Sequence, residues 1–104
     1  MSMVSSDKIQ NTYPGKVDEK NGYLVLTKNK LMFLKEEGFL SKKYSVTVNL
    51  PYEKVRDYSY VQNLNLEIVD TLGNKKVFVS EVAASSIVDT LRTLITNWNA
   101  AISA

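Results

Sequence analysis

Two pairs of carboxylate neighbours, Asp18-Glu19 and Glu36-Glu37, come nearest in this chain to the pattern of an acid–base dyad. Each pair sits among turn or loop residues, where adjacent acids are solvated charges with no fixed geometry toward one another. Serines are numerous, but the chain has no histidine to activate one and no cysteine to replace it. The commonest neutral-pH base and the commonest metal ligand are therefore both missing, along with thiolate chemistry, disulfides and sulfur-ligated zinc. The four glycines are isolated, so there is no glycine-rich phosphate loop. The expectation is a protein that is not an enzyme and that takes no cofactor and no metal.

Binding chemistry has better candidates. In the stretch Glu36–Lys43, Phe39 and Leu40 lie beside Lys42 and Lys43. An apolar tip flanked by cations suits an anionic membrane surface, with each lysine contributing about 1 kcal/mol near anionic lipid. Two lysines fall short of stable anchoring, and Glu36 and Glu37 oppose them. A second candidate is the stripe Tyr23, Val25, Met32 and Leu34, the odd face of one hairpin and the even face of its return strand. The six tyrosines lack the basic groove that a nucleic-acid stacking platform needs, so no nucleic acid is expected.

The elements that must position these residues read as strands. At 104 residues the chain has room for one core, and its 44% apolar and 23% charged content is ordinary globular usage. The net charge of +2 is too small for a nucleic-acid footprint. No apolar run reaches the ~18 residues of a membrane span, and Met1–Asn11 lacks the apolar centre of a signal peptide. A soluble cytoplasmic protein is expected, with peripheral membrane attachment as the alternative. Residues 1–7 are expected to be disordered and 8–104 to form one domain.

Asp7–Asp18 carries Pro14-Gly15, which points to an edge or bulged strand. Asp18–Gly22 ends in Asn-Gly, a hairpin signal. Tyr23–Thr27 and Leu31–Lys35 form a hairpin about Lys28-Asn29-Lys30, with Leu24 and Leu26 facing Leu31 and Phe33. Val46, Val48 and Leu50 alternate along Tyr44–Leu50, and Pro51 then breaks the ladder. Val55–Val61, the run holding Leu64, Leu66 and Ile68, and Val77–Ser80 complete seven strands. From Val82 the period changes. Ile87, Val88, Leu91, Leu94, Ile95, Trp98 and Ile102 follow a helical spacing, and Ser86 with Asp89 reads as a capping box.

Seven strands followed by a long terminal helix resemble the pleckstrin-homology-like (PH-like) superfamily, most closely its GRAM and bacterial or archaeal PH-like domains. The residues that carry the resemblance are Gly22-x-Leu24-x-Leu26-Thr27, Leu31-x-Phe33, Leu50-Pro51 with Val55, and the helix with Leu91, Leu94, Ile95 and Trp98. The resemblance implies a mainly β (α+β) fold, a seven-stranded antiparallel barrel or sandwich capped by the C-terminal amphipathic helix. The acidic Lys16–Gly22 segment departs from the alternating basic residues of phosphoinositide-binding members. The expected function is a non-catalytic module that engages a protein partner or a second copy of itself. It would do so through the outer face of the 22–35 hairpin or the 36–43 loop. Weak attachment to anionic lipid through Phe39, Leu40, Lys42 and Lys43 is the alternative.

Overall fold

The computed structural model describes residues 8–38 and 40–103. The expectations for residues 1–7 and for Phe39 lie outside these. Seven antiparallel strands form one sheet, followed by one C-terminal helix: β1 (Ile9–Val17), β2 (Lys20–Thr27), β3 (Lys30–Glu37), β4 (Lys43–Pro51), β5 (Val55–Val61), β6 (Asn65–Asp70), β7 (Lys75–Ser80) and α1 (Ala84–Ser103). The sheet order is β4-β3-β2-β1-β7-β6-β5. It comprises two local meanders, joined where β1 pairs with β7 over Gly15–Val17.

The topology forces this sheet to fold over. β4 and β5 are its two edges, yet a single 3₁₀ turn, Tyr52–Lys54, connects them. The four steps from Pro51 to Val55 span at most ~14 Å, whereas seven flat strands would be ~29 Å wide. The edges therefore approach at that corner, although no ladder joins them. The Phe33 and Phe78 rings meet edge-on 6.0 Å apart, from strands separated by two others.

The close approach is made possible by a pair of glycines. Gly15 and Gly22 face each other across β1 and β2. A Cβ on Gly22 would run into the Leu34 carbonyl and lie 2.8 Å from the Phe33 ring, and one on Gly15 would lie 2.5 Å from the Phe78 ring. Gly22 is thus a packing requirement inside β2 and not the end of a turn. The β1–β2 turn is made by Asp18 and Glu19, with φ of 51° and 63°, the positive values that a two-residue hairpin loop needs.

Of two further expectations, one holds in part and one is corrected. The register of β1 shifts between Ile9 and Asn11, as in a bulged strand, but β1 lies in the middle of the sheet and not at an edge. Pro14 accepts from the Glu81 amide through its carbonyl. Its missing N–H therefore faces the point where the β7 pairing has ended, and no ladder bond is lost. The helix starts at Ala84, two residues before Ser86, whose hydroxyl donates to the Ala83 carbonyl (2.8 Å) instead of capping. Asp89 pairs with Arg92 (3.0 Å).

The core lies between the folded sheet and α1. Leu24, Leu26, Leu31 and Phe33 meet Leu66, Ile68 and Phe78, and the helix adds Ala84, Ile87, Val88 and Leu91. Leu94, Ile95 and Trp98 pack at its margin, while Ile102 is exposed. The Tyr13 hydroxyl donates to Thr90 (3.2 Å), tying β1 to the helix. Tyr52, buried in the core, donates to the Thr27 carbonyl at 2.6 Å and anchors the turn between the edges to the end of β2. Among the described residues, no helix is long and apolar enough to cross a membrane.

Candidate functional site

The residues with acid–base potential do not converge. Glu36 and Glu37 are consecutive on β3 and so point to opposite faces of the sheet. Lys42 lies 3.6 Å from Glu36 and Lys35 lies 3.0 Å from Glu37. The hydrogen bond and charge of Lys35, with a further hydrogen bond from Ser45, hold the Glu37 carboxyl below its ordinary value. Asp18, in the β1–β2 turn, is 3.4 Å from Lys76. Among the described residues, no group of three His, Cys, Asp or Glu side chains could hold a metal ion.

The outer face of the β1–β4 meander has a different character. Register sets Tyr23 opposite Leu34 and Val25 opposite Met32, and Thr12 opposite Val25. All of these face away from the core strand positions. Val25 is 1% exposed and Met32 6%, although neither belongs to the main core cluster. These two residues are therefore a buried base, while Tyr23 and Leu34 are half-buried and reach the surface.

The face continues onto β4. A bulge between Phe33 and Leu34 in the β3–β4 register leaves Thr47 out of step, so Val48 faces Phe33 while Val46 faces Leu34. The period-two reading set Val46 with Val48 and Leu50, but the bulge moves it to the outer face, where it is 52% exposed. Tyr44 lies on the same face, 48% exposed, with its ring 5.9 Å from that of Tyr23. Ile9, Thr12, Tyr23, Val25, Leu34 and Tyr44 line a shallow recess of about 360 Å³. Sequence reasoning found Tyr23, Val25 and Leu34. It missed Ile9 and Tyr44, which reach the site from strands whose placement no local pattern announces.

The β3–β4 loop is shorter than the expected 36–43 stretch, because Glu36 and Glu37 belong to β3 and Lys43 opens β4. It presents Leu40, 94% exposed, and Lys42, with Lys43 exposed beside it. Gly38 enters the loop at φ 95°, a value that suits glycine. Phe39 lies outside the described residues.

A second concavity, of about 440 Å³, opens where the sheet fails to close, between β4 and β6–β7. Its floor includes Leu24, Leu31 and Phe78, and Asn49, Lys75 and Lys76 stand at its rim. The rim lysines are already engaged: Lys75 lies 3.6 Å from Glu67, and Lys76 reaches Asp18. The sequence gives no sign of this cleft, because it depends on strands from opposite ends of the sheet.

No family model matches the chain, and no curated protein matches it significantly. Among solved structures, it is similar to the C-terminal domain of an unknown protein from Leishmania infantum. The TM-score is 0.66 at 13% identity, over 86% of this chain and 85% of that one. At that identity the likeness is one of fold.

Proposed function

We propose that the chain is a PH-like barrel acting as a non-catalytic binding module, and that it engages protein through the outer face of β2–β4. The fold part of this reading is supported by the folded seven-strand sheet and by the helix that follows it. The observation that carries the functional part is the half-open apolar recess bounded by Tyr23, Leu34 and Tyr44, with exposed Val46 beside it. Aromatic and aliphatic side chains around a shallow recess provide the apolar centre of a protein interface. Val25 and Met32 give that surface a rigid base.

A photo-crosslinking side chain placed at Tyr44 tests the reading, with the same group at Val79, exposed on β7, as the control. Adducts with a partner or a second copy are expected at Tyr44 and absent at Val79. Equal yields at the two positions would reject the outer face as an interface.

The exposed Leu40 with Lys42 and Lys43 supports a second reading, weak attachment to anionic membrane. Vesicles of phosphatidylcholine and phosphatidylserine should then pellet the protein at low salt and release it at moderate salt, as screening removes the lysine contribution. The Leu40→Ser variant should pellet less. Absence of pelleting at low salt removes this reading.

A further inference from the structure

The two edges of the sheet are unlike. β5 carries Arg56 and Asp57, and α1 packs against it. β4 is the opposite edge, and from Tyr44 to Pro51 it holds eight consecutive uncharged residues. An edge strand left open in this way offers alternate backbone N–H and C=O groups to another strand, and edges that stay single are usually blunted by inward charge, proline or a bulge. Here Pro51 and the bulge at Thr47 blunt the second half of β4. Lys43 guards the start of the strand, and between these Tyr44–Val46 has no charge, proline or bulge, with the outward Tyr44 and Val46 half exposed.

We propose that a second copy of this chain pairs with β4 edge to edge, antiparallel about a two-fold axis at Ser45. This inference goes beyond the outer-face reading: the second copy takes the backbone edge of β4, and the outer faces of the two copies stay open beside each other. The self-complementarity of the segment favours a second copy over a foreign strand. In a register centred on Ser45, Tyr44 lies opposite Val46 of the second copy, and Val46 opposite Tyr44 of the second copy. Aromatic–β-branched pairs are among the stabilising cross-strand neighbours. Beyond these pairs Lys43 and Lys42 run toward the uncharged Thr47 and Val48 of the second copy, so no like charges meet. The pairing stops where the bulge begins. The reciprocal Tyr44–Val46 exchange across the axis is the self-matching arrangement that a two-fold contact requires, and it sets the Tyr23 and Leu34 faces of the two copies side by side.

The test is sedimentation velocity of the full chain over a concentration series, with Val46→Lys and Tyr44→Glu as variants. The unsubstituted chain should run at twice the monomer mass, and each variant alone at monomer mass. An equimolar mixture of the two variants should return to the dimer, because the introduced cation and anion then face each other and the second cross-strand pair keeps its original residues. Amide hydrogen exchange on the unsubstituted chain is a reading free of any folding defect in the variants. Protection of the Tyr44–Val46 amides should rise with protein concentration. A monomer at every concentration, a dimer that survives both variants, or a mixture that stays monomeric would overturn the proposal. A monomer that still crosslinks another protein from the Tyr44 position would overturn the self-pairing alone and leave the interface reading standing.

Discussion

Asp70 has both carboxylate oxygens engaged within one turn. Oδ1 accepts from the amides of Leu72 and Asn74, each at 2.9 Å, and Oδ2 from the Asn74 side chain at 3.2 Å. Gly73 supplies the positive φ of 88° that closes the β6–β7 connection, and its amide returns to the Asp70 carbonyl. These donors, the Asn74 amide foremost, hold the Asp70 pKa below its ordinary 3.8. A depressed carboxylate contributes stability in full above its unfolded pKa and loses it as the pH falls through the lower folded value. Asp70→Ala should therefore lower the melting temperature at neutral pH, and the gap from the unsubstituted chain should narrow below about pH 3.8. Melting curves at neutral and strongly acid pH decide this, and a gap that persists unchanged would show that the charge is not what the turn uses. The same residue also lines the neighbouring cleft, where its carboxylate is already held by the turn.

At the scale of elements, what periodicity controls was legible. Leu24 and Leu26 face Phe33 and Leu31 as the alternation requires, and the helical stripe from Ile87 to Trp98 is the face that meets the sheet. What interrupts a period was not. One bulged residue on β4 turns Val46 outward, and nothing local distinguishes Thr47 from an ordinary strand residue. Asn21-Gly22 reads as a turn because glycine and asparagine are turn formers, yet the glycine is needed for the ring above it. The recess and the cleft join strands distant in sequence, so neither could be read from any single stretch. Gly22→Ala should cost about 1–3 kcal/mol, the range for forcing an extra methyl group into a packed site. Urea denaturation measures it, and an unmoved midpoint would mean that β2 and β3 separate there without loss.

For the whole molecule, the arrangement of closed and open edges matters most. One side of the folded sheet is covered by α1, and the corner between β4 and β5 is secured by Tyr52, whose hydroxyl reaches the Thr27 carbonyl. Thr27 in turn closes the β2–β3 turn by accepting from the amides of Asn29 and Lys30. The free first half of β4 and the recess beside it stand on this rigid frame, so the proposed interface needs no rearrangement of the sheet to be used.

The narrow junction between the meanders has a kinetic consequence. Each meander is built from neighbouring hairpins, but β1 meets β7 through only three residue pairs, and these join Gly15 to Ser80. Forming that ladder means closing most of the chain into a loop, whose entropic cost arrives before the contacts that repay it. The junction should therefore be late and rate-limiting, with the hairpins forming and dissolving ahead of it. Val17→Ala, at the buried end of the junction, should slow refolding less than Ile68→Ala, inside a local hairpin, relative to the stability each loses. Stopped-flow refolding and unfolding rates give the comparison. The reverse ordering would place the nucleus at the junction itself and make the two halves a single folding unit.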